Sequence, residues 1–149
     1  MKRLTILYDG GCVLCLRCRL WALRQARYFQ IEFIDQCSLE ARTRFPTLNL
    51  GPTPSELIAI GDDGSIYRDD SAWIMCLYAM RRYRPLAMRL AKPALRGLAR
   101  RVYDLVSSHR YDISRLLPSL SDASLKQFVD RAQAPEVCEF PGAGPNNVI

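Results

Sequence analysis

Leu4-Thr5-Ile6-Leu7-Tyr8-Asp9-Gly10-Gly11-Cys12-Val13-Leu14-Cys15 is the stretch on which the rest of the chain turns. Its apolar start reads as a short buried strand. Gly10 and Gly11 permit a tight turn and a close approach by another backbone. Residues 12–28, without glycine or proline, have helical composition. Two cysteines, two residues apart, are therefore expected at a strand-to-helix turn. The unpaired N–H groups and the positive end of the macrodipole at a helix start favour an anion there. A thiolate is such an anion, and it is the species that attacks disulfides. Cys15, about one turn behind Cys12, is placed to close a small ring with it. The chemistry expected is thiol–disulfide exchange, with Cys12 attacking and Cys15 resolving. Cys12 should be the more exposed and the more acidic of the two, helped by Arg17 and Arg19. Asp9 has three readings: it raises the thiol pKa by its charge, accepts N–H bonds in the glycine turn, or takes a proton from Cys15 during resolution.

Working outward, residues 30–35 alternate polar and apolar and read as a second strand, which completes a parallel βαβ unit. Residues 38–45 read as a short helix capped by Ser38. Residues 47–54, with two prolines and a glycine, read as a loop. Residues 56–60 and 65–68 flank Asp62-Asp63-Gly64 as a hairpin. Helical composition resumes over residues 71–83. A helical extension follows from about residue 85 to residue 117, broken near Pro93 and Gly97. A further short helix is expected within residues 118–133, and a flexible tail over residues 134–149.

Asp9, Cys12 and Cys15 form D-x-x-C-x-x-C, with a tyrosine before and a glycine after the aspartate. This resembles the signature of the DCC family of thiol–disulfide oxidoreductases. Weaker similarity continues through Gly61-Asp62-Asp63-Gly64-Ser65-Ile66-Tyr67-Arg68, Ala72 and Tyr103 to Arg110, about three-quarters of the chain. The resemblance implies an α/β, thioredoxin-like β-α-β-α-β-β-α core with a C-terminal helical extension, an order that the periodicity reaches independently. In that plan a proline just before the hairpin faces the dithiol, often with a cis peptide bond. Pro54 is the better candidate and Pro52 the second. No cofactor is implied. The partner would be a disulfide- or dithiol-containing protein or a small-molecule thiol.

Two other function classes compete. Cys18 extends the motif to C-x-x-C-x-x-C, which raises a metal-binding module built on Cys12, Cys15 and Cys18. Position 22 is alanine and position 23 leucine, so the fourth cysteine and the proline of a ferredoxin run are absent. Zinc would need Cys37, Cys76, Cys138 or His109 as a distant fourth ligand. The second competitor is an interaction protein acting through the basic segment 81–101. The net charge of +6 is concentrated there: residues 71–103 hold no acidic residue. Arg81, Arg82, Arg84, Arg89, Lys92, Arg96, Arg100 and Arg101 would suit an anionic surface or an acidic partner; the plainer reading is a solvated basic face. Cys37 and Cys76 are expected to be buried small hydrophobes, Cys18 a core thiol, and His109 a polar helix terminus. Lys2 and Arg3 precede too short an apolar run for a secretory signal. Residues 72–80 are too short for a span, which needs about 20 residues, so the expected setting is cytoplasmic.

Overall fold

Strand β1 (Arg3–Tyr8) is buried along all but its first residue, because it is central and covered on both faces. It pairs in parallel with β2 (Gln30–Asp35) and antiparallel with β3 (Ile58–Gly61). Strand β4 (Ile66–Arg68) closes the hairpin with β3, giving the order β2-β1-β3-β4. Helices α1 (Val13–Leu23), α2 (Leu39–Arg44) and α3 (Asp69–Ala79) complete the core. The element order β-α-β-α-β-β-α with helices appended is the thioredoxin-like plan with its extension. This computed structural model describes residues 1–116. The helix and tail expected over 118–133 and 134–149, and Cys138, lie outside the described residues.

Strand alternation divides the core. Leu4, Ile6, Ile31 and Ala59 pack with Ala72 and Ala79 of α3, while Leu7, Ile34, Ile58 and Ile60 pack with Ala41 of α2. Ser38 caps α2 as expected, its hydroxyl accepting the Ala41 N–H at 3.1 Å. Gly64 takes the left-handed conformation (φ 83°) that the hairpin turn requires.

Helix α1 stops at Leu23, short of the expected residue 28. The following chain pairs instead with the segment after α3: Tyr28 N–H donates to the Ala79 carbonyl at 2.9 Å, and Arg81 N–H to the Ala26 carbonyl at 2.8 Å. The extension folds as α4 (Arg84–Leu90), α5 (Pro93–Ser108) and α6 (Arg110–Leu116). Pro93 opens α5, whereas Gly97 lies within it without breaking it. The second break falls at His109, whose Nδ1 lies 3.0 Å from the Leu105 carbonyl, the polar terminus expected. Ala99 of α5 packs with Ile74 and Leu77 of α3. Helix α6 then returns to the start of α1.

Candidate active site

The turn between β1 and α1 is built by Asp9. Its Oδ1 accepts the Gly11 N–H at 2.9 Å, and its carbonyl accepts the Cys12 N–H at 3.3 Å. Gly10 lies so close to the Asp35 carboxylate that a Cβ there would overlap it. The turn delivers Cys12 as the N-cap of α1, its backbone extended (φ −98°, ψ 113°) and its sulfur accepting the Cys15 N–H at 3.3 Å.

The Cys15 thiol also hydrogen-bonds to the Cys12 sulfur, and the two sulfurs stand near disulfide distance. This bond, followed by the Cys15 N–H and the Ser114 hydroxyl, lowers the Cys12 pKa to about 6, against opposing contributions from burial and the Asp9 charge. Cys15 moves far upward, because its thiol donates to Cys12, is buried, and faces the charge on Cys12. Above about pH 6 these shifts favour one negative charge on Cys12 and one proton on Cys15 in the reduced pair. The expectation that Cys12 is the more acidic agrees. Its cause differs: N–H, S–H and O–H donors stabilise the thiolate, while Arg19 turns away to donate to the Tyr8 hydroxyl at 2.6 Å and stacks on that ring.

The expected exposure is reversed. Cys12 is fully buried, at 0% exposure, and Cys15 is half-buried. Helix α6 covers Cys12. Ser114 Oγ lies 3.7 Å from Cys12 Sγ and accepts the Leu14 N–H at 3.2 Å. Tyr111 donates to Asp9 Oδ2 at 2.7 Å, and Arg110 Nη2 lies 3.9 Å from the same oxygen. Arg110 Nη2 also donates to the Pro54 carbonyl at 2.6 Å. Pro54 is buried, and no peptide bond among the described residues is cis, so its tie to the site runs through that carbonyl and Arg110. The sequence reading missed Ser114 and Tyr111. Arg110 was visible only as the end of the weaker family similarity.

On its other side the pair meets an apolar cavity of about 250 Å³ between α1, the sheet, α3 and α5. Cys15, Cys18 and Cys76 line it; Cys12 does not. Cys18 is exposed and so corrects the expectation of a core thiol. Cys76 is half-buried, and burial pushes its thiol up to about 12. Cys37, expected to be buried, is exposed, with Sγ 3.6 Å from the Pro52 carbonyl. Among the described residues no group of three or more His, Cys, Asp or Glu is arranged to hold a metal ion. No described helix is long and apolar enough to cross a membrane.

Residues 6–116 match the family profile described as DCC1-like thiol-disulfide oxidoreductase. Neither a curated protein nor a solved structure matches the chain. The family match runs from β1 through the dithiol and on to the end of the helix that covers it. With a Cys-x-x-Cys pair near bonding distance at the head of α1 of a thioredoxin-like core, the chain belongs to the DCC1-like family of thiol–disulfide oxidoreductases.

Proposed function

We propose that Cys12 is the attacking thiolate and Cys15 the resolving thiol in the reduction of a substrate disulfide. The observation that carries this reading is the geometry of the pair: the Cys12 sulfur accepts the Cys15 N–H at 3.3 Å and stands near disulfide distance from the Cys15 sulfur, an arrangement that lowers the Cys12 pKa to about 6. Cys12 attacks one sulfur of the substrate, whose other sulfur leaves as a thiolate and takes up a proton. Cys15 then attacks Cys12, transfers its proton, and releases the second substrate thiol. The pair is oxidised by two electrons and the substrate is reduced by two. In this reading Asp9, Gly10 and Gly11 shape the turn, Pro54 anchors Arg110, and α6 lifts away to admit the substrate. The reading assigns a reducing compartment such as the cytoplasm, where thiols are held reduced.

The test is a thiolate titration of the reduced protein with mass-resolved alkylation. One cysteine titrating near 6 and mapping to Cys12 supports the reading. Two cysteines titrating together in the ordinary thiol range would refute it.

The basic segment supports a second reading, contact with an anionic surface or an acidic partner. Leu86, Met88 and Leu98 are exposed beside the basic side chains of α4 and α5. Part of that charge serves the fold: Arg84 stacks on Tyr28, Phe29 and Tyr78, and Arg96 bonds Ser71 and pairs with Asp70. Charge reversal at Arg100 and Arg101 should abolish salt-sensitive binding to anionic vesicles; vesicle binding unchanged by the reversal would remove this reading.

A further inference from the structure

The two sulfurs of the pair face different surroundings. Cys12 lies under α6 with no exposed surface, while Cys15 lines the cavity. Leu14, Trp21, Phe33 and Trp73 give that cavity apolar and aromatic walls, and no acidic residue lines it. Two cationic side chains do, Arg19 and Arg110. Arg110 is taken up by Asp9 and the Pro54 carbonyl, whereas no carboxylate pairs with Arg19 among the described residues, its Nη1 donating to the neutral Tyr8 hydroxyl. A guanidinium with no carboxylate partner is suited to receive an anion through charge-assisted hydrogen bonds. A volume of about 250 Å³ falls below the roughly 300–1,000 Å³ of sites for drug-sized ligands, which limits the occupant to a small molecule.

We propose that this cavity admits the reductant of the oxidised pair, a small apolar dithiol bearing one anionic group, and that the reductant attacks Cys15. The proposal rests on the reading of Cys12 and Cys15 as the exchanging pair. The first thiolate of the reductant bonds to Cys15 Sγ, the Cys12–Cys15 bond breaks, and its electron pair goes to Cys12. The second thiol of the reductant then attacks its own first sulfur, closes a cyclic disulfide and expels Cys15, which takes up a proton. Two electrons pass to the protein. One proton stays on Cys15 and one is released, since Cys12 remains a thiolate. Attack from the cavity is also the favourable direction. A thiolate that is a weaker base leaves faster, and the departing Cys12 receives the Cys15 N–H at 3.3 Å. The apolar walls hold the carbon chain, and Arg19 receives the anionic group.

The test oxidises the full-length protein and follows return of its thiols by quenched alkylation and mass. Three dithiols serve as probes: dihydrolipoate, its uncharged amide, and the hydrophilic dithiothreitol. Dihydrolipoate should reduce the pair about tenfold faster than dithiothreitol, with a rate that saturates. Arg19→Gln should slow dihydrolipoate about fivefold and leave the amide unchanged. Val106→Phe, at an exposed position on the cavity wall, should slow both apolar dithiols and spare dithiothreitol; Val102→Phe is the second variant should the first fold poorly. After rapid quenching, the transient adduct should sit on Cys15 and the free thiol on Cys12. Equal rates for all three dithiols, indifference to the cavity variants, or an adduct on Cys12 would overturn this proposal alone. A protein in which no Cys12–Cys15 disulfide forms would overturn the exchange reading and this proposal with it.

Discussion

The two flanks of the dithiol differ in kind. Above Cys12, α6 is held by polar contacts from Ser114, Tyr111 and Arg110, and none of its residues is buried. Beside Cys15, the walls are side chains of the sheet, α1, α3 and α5, several of them part of the packed core, joined by Arg110 at the start of α6. A typical hydrogen bond contributes only about 1 kcal/mol net, so a short helix held this way can open locally. The cavity walls cannot move without disturbing core packing, where lost contacts cost several times more. In the exchange proposed above, the polar flank would set protonation and access at Cys12, and the apolar flank would set what can approach Cys15.

The largest effect that would break this asymmetry is removal of either sulfur. Cys12→Ser should lower disulfide-reductase turnover by about a thousandfold or more, the scale expected when a nucleophile is lost. Cys15→Ser should instead stop at a covalent mixed disulfide on Cys12, seen as a mass increase equal to one half of the substrate. A mixed disulfide trapped on Cys15 in Cys12→Ser, with none on Cys12 in Cys15→Ser, would mean that the flanks do not assign the roles.

The stability of the reduced protein provides a second probe. The Cys12 pKa falls from 9.0 to about 6 on folding, so between these values the unfolded chain binds more protons than the folded one. Stability then rises with pH from about 6 to 9; it is fully gained above the unfolded pKa and lost as pH drops through the folded one. The gain should be on the order of 4 kcal/mol. Cys15 acts in the opposite sense: its folded pKa is raised, so stability should decline above about pH 9. Urea unfolding across this range should show the rise in the reduced protein and none in the oxidised one, whose sulfurs do not titrate.

A smaller loss, about 1–2 kcal/mol, is expected for Gly10→Ala, since the added methyl must displace the Asp35 carboxylate. The accompanying change should be a rise in the Cys12 pKa as the turn shifts. A stable variant with an unchanged thiol titration would show that the turn does not position the sulfur.

Local chemistry was legible in the chain. The apolar run of β1, the alternation in β2, the Ser38 cap, the glycine turn at Gly64 and the polar terminus at His109 depend on neighbours a few residues away. The dithiol was legible for the same reason, since its spacing carries its own mechanism. Long-range effects were hidden. Helix α1 ends where it does because residues 26–28 bond to 79–81. Cys12 is buried by Ser114, 102 positions later. Cys18 and Cys76 face a cavity rather than solid core because α5 supplies one of its walls, and α5 has no local signal that fixes where it docks. The break at His109 carries no proline or glycine, so the separate helix that covers the site left little trace in the pattern.

The finest test of the two-flank picture is Tyr111→Phe. The variant keeps the ring and deletes two hydrogen bonds, the one from the phenol to Asp9 Oδ2 and the longer one from Arg110 Nη2 to the phenol oxygen, within α6; Asp9 retains the Gly11 N–H and the nearby Arg110. If α6 opens as a unit, weakening one of its polar contacts by about 1 kcal/mol raises the open population several-fold. Alkylation of Cys12, measured above its pKa so that thiolate content is constant, should then accelerate about three- to tenfold. Cys18 is the internal control, because it lines the cavity and meets reagent there; its rate should not change. Acceleration of both cysteines would mean that the substitution loosens the whole domain. Acceleration of neither would mean that Cys12 is shielded by something other than the contacts of α6. Only a change confined to Cys12 fits a polar gate on one flank of the dithiol and a fixed apolar wall on the other.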